Sequence, residues 1–290
     1  MRRSSGNPPP GHAARKPPGT PIRPHEEPII LPPVPKLDVR RALNALPVPL
    51  TYEGPCPGGQ VGAAYVRWPD GHRSVLTRGP DVSHLLSVAR AAGIPAPGYE
   101  LVHPPIVVQQ LLPGAVARVP TARTVADMVD VNRRCRGLLA GRADLPPLRL
   151  HLRDDGPGFC LHGSLRAYDS RTRRLLDQIE EIGHAFPDTL EGDDLVHTDF
   201  HPENVLVDET GSVTGVIDWD GATRGDADFD LFTLRFDLAL RAPELRVDVS
   251  DTVAPVCWAH MSLRQVDWAI RHFSASDVTL WLDIAERLKP

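Results

Sequence analysis

The chain has 290 residues, 41% hydrophobic and 24% charged, with a formal net charge of −5. That length suits one large domain or two lobes sharing a cleft, and the composition is that of an ordinary globular chain. The charge leaves no basic footprint for nucleic acid, no apolar run approaches the ~20 residues of a membrane helix, and Arg2-Arg3 leads into no apolar signal segment.

Residues 1–36 read as a tail. They hold eleven of the 31 prolines and few large apolar side chains, too few to offset the entropy of ordering. The segment is either an arm for partner docking through its prolines or a dispensable extension. Cys56, Cys135, Cys160 and Cys257 are scattered without Cys-x-x-Cys spacing, which predicts reduced thiols and a cytoplasmic setting.

Leu37–Leu46 predicts a short helix. A glycine-rich turn with Gly58, Gly59 and Gly62 then feeds a strand through Tyr65–Trp68. Glycines there let backbone N–H groups approach phosphate oxygens. Pro69-Asp70-Gly71 is a turn and His72–Arg78 the next strand. Asp81 caps a helix over 81–92, which Gly93-Ile-Pro95-Ala-Pro97 ends. Tyr99–Val102 and Ile106–Leu111 read as strands, the second running into Leu112-Pro113-Gly114. Helical spacing follows over 124–139, 167–186, 232–240, 253–270 and 278–288.

The chemistry concentrates in Leu195–Asp220. Val205–Val207 and Val213–Ile217 flank an Asp-Glu-Thr-Gly turn and predict a hairpin. Asp199 and Asn204 lie before its first strand, and Asp218 leaves its second, so all three meet at one mouth. Phosphoryl transfer needs such a set: a carboxylate for the acceptor hydroxyl and hard oxygens for magnesium on nucleotide phosphates. The competing readings are an acidic surface hairpin and a zinc pair from His197 and His201. Pro202 argues against one helix face carrying both histidines.

The wording His-Thr-Asp-Phe-His-Pro-Glu-Asn-Val-Leu-Val-Asp over 197–208, with Val-Ile-Asp-Trp-Asp over 216–220, resembles the aminoglycoside phosphotransferase and choline kinase family. Gly225-Asp226 and Asp230-Leu231 match that family's downstream motif, as does the Gly-Ile-Pro-x-Pro phrase after the small-lobe helix. The resemblance covers about residues 50–290, strongly over 195–235. It implies an α+β, two-lobed protein-kinase-like fold. A small antiparallel β-sheet lobe with one helix binds nucleotide (37–112), and a mostly helical large lobe carries the catalytic hairpin (113–290).

It also implies roles. Asp199 is the catalytic carboxylate, and Asn204 and Asp218 ligate Mg2+. Gly58, Gly59, Gly62 and Arg78 attend the phosphates of ATP or GTP, and backbone groups around Gln110 and Leu111 take the adenine. His197 and Asp230 support the loop, His201 either touches a phosphate or is solvated, and Asp226 caps or braces the large lobe. The expected partners are nucleotide and a small-molecule hydroxyl acceptor, with no nucleic acid and no membrane.

Two features stand apart. Kinase-like small lobes carry a lysine on the third strand and a glutamate on the next helix. Here Thr77 occupies the lysine position, the helix over 81–92 has no glutamate, and only Arg73 or Arg78 is near enough to substitute. Residues 191–251 also hold sixteen acidic and four basic side chains. That excess attracts a cationic acceptor or is a solvated surface. The expected activity is γ-phosphoryl transfer to a small-molecule hydroxyl, aminoglycoside-like or another metabolite. The alternatives are a kinase-like binding module or pseudokinase with weak or no transfer, and a modifier of peptide Ser/Thr.

Overall fold

The computed structural model describes residues 36–57 and 62–290. The expected tail, apart from Lys36, and both Gly58 and Gly59 lie outside the described residues. Helix α1 (Val39–Ala45) is capped by Asp38, whose carboxylate accepts the Arg41 N–H at 3.0 Å. Strands β1 (Thr51–Pro55), β2 (Ala64–Arg67) and β3 (Arg73–Arg78), helix α2 (Ser83–Ala91), and strands β4 (Tyr99–His103) and β5 (Ile106–Gln110) follow. The five strands form one antiparallel sheet in the order β1-β2-β3-β5-β4. Helix α2 begins two residues later than Asp81, yet the Asp81 carboxylate still accepts the Ser83 N–H at 3.0 Å.

The faces of this sheet follow from strand alternation. Val66, Leu76, Ile106 and Val108 pack against Ala42, Leu43 and Leu46 around α1. Tyr65, Val75, Thr77, Val107 and Gln109, in register across β2, β3 and β5, therefore point the other way, into the cleft. Leu85, Leu86 and Ala89 of α2 join a second core with Val216 and Trp219, and this core ties the sheet's helix to the hairpin below.

The remaining chain is mostly helical. Strand β6 (Ala115–Val116), helix α3 (Ala122–Cys135), strand β7 (Leu148–Arg149), helices α4 (His162–Tyr168) and α5 (Ser170–Ala185), and strands β8 (Thr189–Leu190) and β9 (Asp194–Val196) lead to the hairpin. The hairpin is β10 (Val205–Val207) and β11 (Val213–Val216), then β12 (Thr223–Gly225), α6 (Asp228–Arg241), α7 (Ala254–His272) and α8 (Ala275–Leu288). The helix expected over 167–186 is two helices. Asp169 breaks it with extended backbone (φ −152°), and its carboxylate caps α5 by accepting the N–H groups of Arg171 and Thr172. The hairpin also gains β6 as a third antiparallel strand. Trp258, Phe229, Phe232 and Phe236 fill the core between α6, α7 and their neighbours, each phenylalanine contributing about 1.5–3 kcal/mol by transfer from water. The two-lobed α+β arrangement is the expected one.

Candidate active site

The loop between β9 and β10 is built around His197. Its ring is 4.6 Å from Trp219 and 5.9 Å from Phe200. Nε2 donates to the Ile217 carbonyl at 2.9 Å, and Nδ1 accepts the Asp199 N–H at 3.3 Å. Both bonds need a neutral ring with the proton on Nε2. Burial favours that form and depresses the pKa to about 4. His197 thus straps the start of the loop to the exit of β11.

Asp230, in the first turn of α6, completes the support. It accepts the N–H groups of His197 and Thr198 at 2.7 and 2.9 Å. Asp226 accepts the Asp228 N–H at 2.9 Å, at the start of the same helix. Both carboxylates act on backbone.

The three central residues converge. Pro202–Asn204 forms a 3-10 turn that lifts Asn204 toward Asp199. Asn204 Nδ2 donates to the Asp199 carbonyl at 2.9 Å and to Asp199 Oδ2 at 3.1 Å. With its nitrogen committed, the amide keeps Oδ1 as a free-standing hard donor. Asp218 adopts φ +66°. The next residue, Trp219, folds back so that its indole N–H donates to Val216 O at 2.9 Å, and the Asp218 side chain is exposed.

The electrostatics separate these carboxylates. Burial alone would raise the Asp199 pKa, but the Arg264 guanidinium and the His201 imidazole outweigh it and hold this carboxyl well below the usual range. Asp218 is solvent-exposed by area, yet surrounding protein and then the charge of Asp199 push its pKa up. Asp220 is pushed to about 6 by burial and by Asp218. Among the described residues no salt bridge neutralises Asp218 or Asp220. Two crowded carboxylates without a cation, beside an amide oxygen, fit a hard divalent cation. His201 lies 3.4 Å from Asp199 Oδ2, and although burial opposes it, that carboxylate raises its pKa.

The small-lobe expectations fare unevenly. Thr77 faces the cleft, in register with Val107. Arg78, its neighbour, belongs by alternation to the α1 side and pairs with Ile106, so it does not take the missing lysine's direction. Arg73 shares Thr77's face but sits two strand repeats away, beyond Val75, at the turn end. It donates to Glu53 at 2.6 Å and lies 5.2 Å from the Tyr65 ring. The Gln110 N–H, expected to serve adenine, is instead donated to Gly98 O at 2.8 Å, continuing the β4–β5 pairing. Leu111 follows, half-buried, beyond the sheet. Gly62 has φ +81°, and a Cβ there would lie 3.7 Å from Leu37 N, so it packs under the segment entering α1.

Three participants were missed. Arg264 of α7 donates to Asp199 Oδ1 at 2.7 Å across 65 positions of sequence. Asp220 was visible beside Asp218 but had no role assigned. Gly79 follows β3, and a Cβ there would meet Asp220 Oδ2 at 2.5 Å, so the strand exit abuts the Asp218–Asp220 loop.

The model of the phosphotransferase enzyme family (APH) matches residues 64–250. Among solved structures, aminoglycoside phosphotransferase APH(4)-Ia aligns with a TM-score of 0.57 at 17% identity, covering 86% of this chain and 96% of that one. Choline kinase LicA from Streptococcus pneumoniae aligns with a TM-score of 0.57 at 12% identity, covering 86% and 96%. Macrolide 2'-phosphotransferase MphH from Brachybacterium faecium gives 0.50 at 17%, covering 85% and 96%. At these identities the likeness is one of fold. No curated protein sequence matches the chain.

Proposed function

The chain belongs to the phosphotransferase enzyme family, and from that premise we propose that it moves the γ-phosphoryl group of ATP or GTP to a hydroxyl of a small molecule. The observation that carries this reading is the meeting of Asp199 and Asn204, on the loop between β9 and β10, with Asp218 at the exit of β11, held by Asp230 and His197. Ternary complexes of a thermostable APH(4)-Ia mutant, similar in fold, hold ADP or AMP-PNP with hygromycin B, which supports a nucleotide in the corresponding cleft.

In this reading Asp199 receives and orients the acceptor hydroxyl. Placement matters more than base strength, because the transition state is loose. A strongly ionised Asp199 suits that role. Asn204 Oδ1 and Asp218 would hold Mg2+, which when bound neutralises charge on the nucleotide phosphates. Tyr65 and Val75 offer a flat roof to the base. The lobes join near Leu112, where Leu111 and Leu112 keep backbone groups for adenine once Gln110 is spent on the sheet.

Thr77 at the usual lysine position favours a second reading, a nucleotide-binding module with weak transfer. ADP release in the presence of Mg-ATP and a panel of hydroxylated compounds, with Asp199→Ala as control, decides between them. Acceptor-dependent release abolished by the substitution supports transfer. Release that survives it removes Asp199 from the proposed role.

A further inference from the structure

The two oxygens of Asp199 face different neighbours. Oδ2 meets Asn204 at 3.1 Å and His201 at 3.4 Å, on the side assigned to metal and nucleotide. Oδ1 meets Arg264 Nη2 at 2.7 Å, and Arg264 Nη1 donates to the Thr198 carbonyl at 2.8 Å. The side chain comes from α7, across the loop from the hairpin, and is 27% exposed. A hydroxyl that donates to Oδ1 at ~2.7 Å necessarily lands beside this guanidinium. Whatever the acceptor carries next to that hydroxyl meets a permanent positive charge in a planar fork.

Asp199 itself pairs with one edge of this guanidinium, but no other acidic side chain of residues 191–251 does among the described residues. Ten of the sixteen carboxylates in that stretch, Asp199 among them, already hold hydrogen bonds or ion pairs: Glu203 and Asp237 share Arg241, for example, and Asp194 and Asp230 accept backbone N–H groups. Glu209, Glu244, Asp248 and Asp251 are surface residues. The two that remain, Asp218 and Asp220, lie on the nucleotide side. What the acceptor side of Asp199 presents is therefore Arg264, with two of its five N–H donors used among the described residues.

Resting on the phosphotransferase reading, we propose that the acceptor carries an oxyanion, a carboxylate or a phosphate ester, next to its reacting hydroxyl, and that Arg264 selects it. The remaining guanidinium donors take the oxyanion in a bidentate pair, and Asp199 takes the hydroxyl. In the transfer the γ-phosphorus loses its bond to the β-bridging oxygen and gains one to the acceptor oxygen. The hydroxyl proton passes through Asp199 to solvent, and nucleoside diphosphate leaves. A polycationic amino sugar placed in the same seat would set ammonium against guanidinium.

The test uses compounds of one skeleton: an amino sugar, the neutral sugar, the uronic acid and the sugar phosphate. Each is assayed with Mg-ATP on wild type, Arg264→Gln and Arg264→Lys. The proposal expects the highest kcat/KM for an anionic member, the carboxylate and phosphate arms telling which. It also expects a KM for that member raised tenfold or more by Arg264→Gln, with kcat moved less, and partly recovered by Arg264→Lys. A best substrate that is neutral or cationic overturns it, as does an anion whose KM ignores Arg264→Gln. If no member turns over, thermal shift with Mg-ADP decides. Stabilisation by the anions alone, lost in Arg264→Gln, supports the proposal, and any other pattern overturns it. Failure to bind Mg-nucleotide at all removes the phosphotransferase reading itself. Intact nucleotide binding with the wrong acceptor preference removes only this inference.

Discussion

Asp230 accepts the backbone N–H of Thr198 at 2.9 Å, and Thr198 has φ +71°. A β-branched residue in the left-handed region is strained by about 1–2 kcal/mol. The carboxylate offsets that strain and aims Asp199, the next residue, into the cleft. In Asp230→Asn one of the two N–H groups faces a competing donor, which costs about 1–3 kcal/mol. We expect a folded protein with Tm lowered by several degrees, kcat down at least tenfold and nucleotide affinity little changed. Calorimetry with steady-state kinetics checks this, and unchanged kcat would remove Asp230 from loop support.

Stability should fall with acid through buried neutral histidines. The His197 and His260 pKa values, depressed by burial, lie near 4 and 3, against an ordinary 6.5. Each ring stays neutral in the folded chain and gains a proton only on unfolding. Stability is therefore complete above pH ~6.5 and lost as pH falls, by up to about 1.4 kcal/mol per unit and per ring. The loss from each ring levels off at its folded value. Urea midpoints at pH 7 and 5 should separate clearly, and His260→Gln should shrink the gap. Equal midpoints would contradict this.

Asp218→Asn should stabilise the apo protein. Asp218 adds negative charge beside Asp199, no salt bridge neutralises it among the described residues, and its pKa is raised by burial and by that charge. Asparagine keeps the shape and tolerates φ +66°. Relief of about 1 kcal/mol raises Tm by about 2–4 °C, while turnover falls by orders of magnitude. A lowered Tm in scanning calorimetry would show that Asp218 is structurally compensated.

The small lobe should accept a cation at the position that Thr77 occupies. Thr77 faces the cleft, and its register partner there is Val107. Thr77→Lys places an ammonium on that face, so Kd for ATP measured by titration calorimetry should fall by severalfold to tenfold. Leu76→Lys, on the buried α1 side, should instead unfold the lobe. No gain in affinity from Thr77→Lys would mean that the phosphates lie elsewhere.

The hairpin was legible because its chemistry is local. His197, Asp199, Asn204 and Asp218 span little more than twenty residues, and turn signals fix which ends meet. Alternation along β3 sets Thr77 and Arg78 on opposite faces. Arg264 was not legible. One arginine on an amphipathic helix reads as a solvated side chain, and only packing across 65 positions brings it to Asp199. The pairing of the Gln110 N–H was not legible for a related reason, since Gly98, which takes it, precedes β4 and pairs only in three dimensions. The break at Asp169 had a local signal, a capping Asp followed by Thr172, but the apolar periodicity running through it masked the cap.

The central claim is a division of labour: Asp218 and Asn204 hold the metal-nucleotide, and Asp199 holds the acceptor. Titrating ATP into wild type, Asp218→Asn, Asn204→Ala and Asp199→Asn, with and without Mg2+, tests it most directly. The account predicts that Mg2+ strengthens ATP binding in wild type and in Asp199→Asn, and that Asp218→Asn and Asn204→Ala lose that dependence. Magnesium dependence that survives Asp218→Asn, or disappears in Asp199→Asn, would contradict it.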